Sequence, residues 1–171
     1  FNQFIFARQL KRLKDYANKK SIQIMGDMPM FVSHDSSDTW ANQKLFALDH
    51  EGCPVYVAGV PPDYFSATGQ LWGNPQYDWD AMEADDYQWW IKRIKHVLEQ
   101  VNLLRIDHFR AFDEYWEVPA GEPTAVNGKW QPGPGMKLFN MLKKEISEDT
   151  VIVAEDLGSY SETVVKLVKD T

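Results

Sequence analysis

Hydrophobic and polar positions follow two rhythms along this chain, and the switches between them mark its elements. Residues 1–20 set Phe4, Ile5, Leu10, Leu13 and Ala17 at a spacing near 3.6, with lysines and arginines between them. That is the pattern of an amphipathic helix. Residues 21–27, Ser-Ile-Gln-Ile-Met-Gly-Asp, change to strand character and stop at Met28-Pro29. Helical spacing returns over residues 80–100, with Trp89, Trp90, Ile94, Val97 and Leu98 on the apolar side and Lys92, Arg93 and Lys95 outside. An apolar run at 103–107, a helix over 136–146, a second apolar run at 151–155 and a last helix from Ser161 complete the series. Near-continuous apolar strands alternating with helices predict an α/β fold with a parallel sheet and helical crossovers.

The stretches between these elements read as irregular. Residues 31–58 carry a polar turn from His34 to Thr39, and a small hairpin is expected between 45–49 and 54–57. Residues 59–79 combine Gly59, Pro61, Pro62, Gly69 and Gly73 with Tyr64, Phe65 and Trp72. A loop of that length inside a compact domain is usually functional or disordered, and this one is too aromatic for disorder. The expectation is an aromatic cleft loop facing a ligand. Residues 109–134 form a second irregular excursion. Long stretches follow the strand ends at Asp27 and Asp107, and in a (β/α) barrel that end of the strands is where the chemistry sits. Three strands do not close an eight-stranded barrel. The whole chain, 1–171, is therefore expected to be about three βα units of a partial (β/α)8 TIM barrel, a piece of a longer catalytic barrel.

Composition narrows the function. The hydrophobic fraction of 44% and aromatic fraction of 13% are those of a globular domain. A net charge of −7 supplies no basic stripe for nucleic acid. A single cysteine, Cys53, excludes an internal disulfide and suits a reducing compartment. No apolar run reaches the roughly 20 residues of a membrane helix. No metal geometry is evident around His34, Asp35 and Asp38, no glycine-rich nucleotide loop follows a strand, and no cofactor is implied.

The chemistry concentrates at two strand ends. In Leu103–Arg110, Leu-Leu-Arg-Ile-Asp-His-Phe-Arg, alternation puts Arg105 and Asp107 on one face and Leu104, Ile106 and His108 on the other. The run 151–158, Val-Ile-Val-Ala-Glu-Asp-Leu-Gly, ends in Glu155 and Asp156. Neighbouring strands are about 4.8 Å apart. Two carboxylates at matching heights therefore come within reach of the roughly 5–5.5 Å separation of a retaining glycosidase. Asp107, short and beside Arg105, suits the nucleophile. Glu155, one methylene longer, suits the general acid and then the base. Spacing alone leaves another reading open, because Arg-x-Asp also makes structural ion pairs and Glu-Asp also opens helices.

The strings Arg105-Ile106-Asp107-His108-Phe109-Arg110, Tyr115-Trp116-Glu117-Val118-Pro119 and Ala154-Glu155-Asp156-Leu157-Gly158 closely resemble the 4-alpha-glucanotransferases (amylomaltases) of glycoside hydrolase family 77. So do Gly26-Asp27-Met28-Pro29, Pro61-Pro62-Asp63-Tyr64-Phe65-Ser66 and Gly69-Gln70-Leu71-Trp72-Gly73-Asn74-Pro75. The resemblance implies a modified (β/α)8 barrel and retaining transfer of an alpha-1,4-glucan segment to the 4-hydroxyl of an acceptor sugar. It makes Asp107 the nucleophile and Glu155 the acid/base. Arg105 matches the arginine beside the nucleophile, and Asp27 and His108 match the donor side of the cleft. Tyr64 and Phe65 match the covering aromatic loop, with Trp72 and Asn74 as its continuation. Asp27 is equally readable as a structural acceptor, and His108 reaches the cleft only if the strand has ended before it.

The implied partners are maltooligosaccharides and starch or glycogen glucans, together with the remainder of the barrel. The implied setting is the cytoplasm, or a plastid in a plant. The family's third carboxylate, an aspartate in a Thr-His-Asp context, has no counterpart in this sequence, so the piece alone is expected to be inactive. An alpha-amylase-type hydrolase and a non-catalytic alpha-glucan-binding fragment are the alternatives.

Overall fold

A computed structural model describes residues 1–155 and 161–171. Two sheets organise it. Strands β1 (Met25–Met28), β4 (Leu103–Ile106) and β7 (Val151–Ala154) form a parallel sheet in the order β1-β4-β7. Strands β2 (Tyr56–Val60), β3 (Gln70–Pro75), β5 (Glu114–Pro119) and β6 (Lys129–Pro132) form an antiparallel sheet in the order β3-β2-β5-β6. Helix α1 (Asn2–Asn18) precedes β1, α4 (Gln88–Gln100) leads into β4, α5 (Met136–Leu142) precedes β7, and α6 (Glu162–Asp170) follows it. The expected helix–strand alternation and parallel sheet are therefore present. Among the described residues no helix is long and apolar enough to cross a membrane.

The antiparallel sheet corrects the two irregular readings. Residues 59–79 are not one long loop. They contain the end of β2, a tip at 61–69, and β3. Residues 109–134 likewise hold a 3-10 turn (Phe109–Phe112) and the β5–β6 hairpin. The glycines that read as loop punctuation are demanded by close packing. A Cβ on Gly59 would strike the Gln70 carbonyl oxygen, and one on Gly69, at φ +68°, would strike that of Val60. The buried Gln76 amide joins the sheet internally, donating to the carbonyls of Val57 (3.3 Å) and Trp116 (3.0 Å). The small hairpin before β2 is present as the antiparallel bridge Leu48 with Pro54, flanked by hydrogen bonds from the Asp49 N–H to the Cys53 carbonyl (2.8 Å) and from the Val55 N–H to the Ala47 carbonyl (2.9 Å).

The predicted helix at 80–100 is two helices. α3 (Trp79–Ala84) starts at Asp78, whose carboxylate accepts from the Ala81 N–H at 2.9 Å. The chain then turns through Asp86 (φ +55°) and Tyr87 (φ +57°) before α4. Aspartate tolerates this left-handed conformation better than most residues, and the turn buries the Tyr87 ring. The predicted helix at 136–146 ends at Leu142.

The main core lies under the parallel sheet. Leu104 and Ile106 of β4 pack with Trp90 and Ile94 of α4, with Phe109 and Phe112, and with Leu138, Phe139 and Leu142 of α5. Each fully buried side chain of this size contributes roughly 1.5–3 kcal/mol. A second, small cluster of Val57, Val118 and Ala125 packs with Trp116 in the antiparallel sheet.

Candidate active site

The parallel sheet delivers three carboxylates to one end. The β1–β4 register pairs Asp27 with Arg105, and β7 places Glu155 one residue beyond its last paired position. The ladder runs on by one step, because the Asp107 N–H donates to the Met28 carbonyl (2.9 Å) and the Glu155 N–H to that of Ile106 (3.1 Å). Arg105, on the central strand, gathers the side chains. Its Nη1 meets Asp27 Oδ1 at 2.6 Å and its Nη2 meets Asp107 Oδ1 at 2.8 Å. The same Nη2 stands 4.0 Å from Glu155 Oε1. The hydrogen bonds to Asp27 and then to Asp107 push the guanidinium pKa further above its usual value. Those bonds leave Oδ2 of Asp107 free of the arginine.

The two Nη2 distances bound the separation of the facing Asp107 and Glu155 oxygens at their sum. That bound accommodates the roughly 5–5.5 Å spacing of retaining pairs. The two groups differ in environment. The Asp107 side chain is 49% exposed and that of Glu155 is 11% exposed. Asp156, the second carboxylate of the 151–158 run, lies outside the described residues.

The strand stops at Ile106, and this decides where His108 goes. His108 takes a left-handed conformation (φ +52°, ψ +43°) and opens the 3-10 turn. Its ring no longer alternates away from Asp107. It sits edge-on to Trp72 at 4.9 Å and 6.2 Å from Phe31. Its N–H donates to Glu155 Oε2 at 2.6 Å. Burial, and then the nearby Arg110 charge, lower the imidazole pKa to about 4, so the ring is neutral at physiological pH.

These groups open onto a cleft of about 650 Å³. Tyr64, Phe65, Trp72, Asp107, His108 and Glu155, all expected from sequence, line it. Tyr64 and Phe65 stand 98% and 94% exposed at the β2–β3 tip, in an edge-to-face pair with centroids 5.7 Å apart. The tip is held by Asp63, whose Oδ1 accepts from the N–H groups of Phe65 (2.8 Å) and Ser66 (2.7 Å). Asp27 is not among the lining residues, and its link to them is the hydrogen bond from Arg105. Asn74 departs from expectation, since its amide donates to the Val32 carbonyl at 2.9 Å and so ties β3 to the segment after β1.

Sequence reasoning missed Trp130, Gln70 and Arg110 as cleft-lining residues. The Arg110 guanidinium lies 4.1 Å over the Trp130 ring. Arg110 stood inside the motif around Asp107, but nothing in the local pattern separated Trp130 from a turn residue. Asp49, Glu51 and Cys53 lie together on an exposed turn, where Asp49 Oδ1 already accepts from two N–H groups.

A family model described as 4-alpha-glucanotransferase matches residues 1–171. The chain belongs to the 4-alpha-glucanotransferase family. It is 53% identical over 172 residues to the 4-alpha-glucanotransferase of Clostridium butyricum, covering 100% of this chain and 35% of that protein. It is 50% identical over 167 residues to the chloroplastic/amyloplastic 4-alpha-glucanotransferase of Solanum tuberosum, covering 98% of this chain and 29% of that one. Among solved structures it is similar to the amylomaltase from Streptococcus agalactiae in complex with acarbose. The TM-score is 0.94 at 46% identity, over 98% of this chain and 34% of that one. The chain thus spans about a third of the length of these relatives.

Proposed function

We propose that the protein carrying this chain is a retaining 4-alpha-glucanotransferase acting on maltooligosaccharides and on starch or glycogen glucans. The observation that carries the reading is the pair Asp107 and Glu155, set on adjacent parallel strand ends about one Arg105 nitrogen and facing one cleft. In this reading β1, β4 and β7 are an arc of a (β/α)8 barrel, and residues 59–79 are the part of it that covers the cleft.

The reaction follows from the placement. Oδ2 of Asp107, free of the arginine, attacks C1 of the donor glucose. The C1–O bond to the next sugar breaks as Glu155 gives its proton to that oxygen, and the leaving chain departs with a 4-hydroxyl. The glucan remains bound through C1 to Asp107. Glu155, now a carboxylate, takes the 4-hydroxyl proton of an acceptor sugar. That oxygen bonds to C1, and Asp107 is released. Arg105 holds the nucleophile in place, Asp27 holds Arg105, and His108 and Trp72 wall the donor side. Tyr64 and Phe65 cover the cleft and stack an acceptor sugar, favouring transfer over attack by water. The third carboxylate of the family is supplied by the rest of the enzyme. The cytoplasm is the setting for a bacterial protein and the plastid for a plant one.

Product analysis with maltotriose and the full chain tests this. Glucose together with longer maltooligosaccharides is the expected result. Shorter sugars alone identify a hydrolase, and unchanged maltotriose a binding protein. Asp107→Asn is expected to lower the rate to below about one thousandth.

A further inference from the structure

We infer that His108 is the positioning residue for Glu155, acting through its backbone turn. The inference rests on the assignment of Glu155 as acid/base. Three observations meet here. The His108 N–H donates to Glu155 Oε2 at 2.6 Å. That N–H points at the carboxyl because His108 is left-handed, at φ +52°, in a region that side-chain-bearing residues seldom occupy. The ring that holds the turn is wedged edge-on against Trp72 and lies near Phe31.

The N–H occupies Oε2, so Oε1 carries the proton that the acid delivers. Oε1 is also the oxygen on the side of Arg105, whose Nη2 lies 4.0 Å away beside Asp107. The turn therefore selects which oxygen of Glu155 does the chemistry and turns it toward the nucleophile's side of the cleft.

A glycosyl fluoride donor separates this role from the others, because fluoride leaves with little help from an acid. The experiment compares maltotriose turnover with fluoride release from α-maltosyl fluoride in the first turnover, using the full enzyme and His108→Val and His108→Asn variants. Valine resists the left-handed turn, whereas asparagine accepts it. His108→Val is expected to lose roughly tenfold or more on maltotriose and far less on the fluoride, with His108→Asn recovering part of the maltotriose rate. Equal losses on both donors would mean that His108 serves only as a wall of the donor side or holds the fold, and would overturn the inference. So would His108→Asn falling as far as His108→Val. Glu155→Gln is the control: if it shows no split between donors, the assignment of Glu155 as the acid fails, and the inference falls with it.

Discussion

The parallel sheet β1-β4-β7 and the antiparallel sheet β3-β2-β5-β6 both contribute to one cleft, yet they are supported differently. The parallel sheet rests on the main core through Leu104 and Ile106 of β4. Its carboxylates are fixed by hydrogen bonds from Arg105 and the His108 N–H, all 2.8 Å or shorter. The antiparallel sheet reaches that core through Ala58 and Tyr115, and holds a second, small cluster of its own. Its tip carries two almost fully exposed rings whose order comes from local turn hydrogen bonds. In the proposed reaction, the groups that meet the reacting carbon thus sit on packed strands, and the groups that admit the glucan sit where movement costs little.

The contrast can be broken from the core. Phe112 is fully buried, with its ring centroid 5.1 Å from those of Trp90 and Phe139. Phe112→Ala is expected to cost about 3–5 kcal/mol, read by urea unfolding, with activity falling in parallel because the strand ends lose their floor. A smaller effect separates the sheets by pH. His108 has a folded pKa of about 4 against an ordinary 6.5, so the folded state resists its protonation. Its contribution is complete above pH 6.5 and is lost as pH falls toward 4, by at most about 3 kcal/mol. Urea unfolding at pH 7 and pH 4.5 should show a larger acid-induced loss in the wild type than in His108→Asn. The smallest effect on stability is expected at the tip. Tyr64→Ala with Phe65→Ala should change stability by less than about 0.5 kcal/mol, while the ratio of transfer to hydrolysis falls severalfold. An unchanged ratio would remove the covering role from the tip.

Much of the parallel half was legible. Alternation placed Arg105 and Asp107 on one face, and apolar runs marked β4 and β7, because buried parallel strands have few polar positions to blur the pattern. The antiparallel half was not legible. Gly59 and Gly69 read as loop, yet each is small because a backbone carbonyl passes over it. That is a contact between segments about ten residues apart, invisible to a local window. The break before α4 had no glycine or proline to announce it. It is set by the burial of Tyr87, which only the assembled core requires. Asn74 was placed in the cleft by its neighbours in the motif. Its partner, the Val32 carbonyl, is a tertiary contact with no local trace.

The two glycines at the base of the β2–β3 tip also bear on how such a site changes over generations. Any side chain at Gly59 or Gly69 would drive a carbonyl out of the sheet, so the stalk is closed to variation. The Tyr64 and Phe65 side chains touch solvent on nearly every side and are open to it. Under the proposed function, substrate preference can therefore drift, or be redesigned, by rewriting the tip alone, while the strand ends that carry Asp107 and Glu155 stay unchanged.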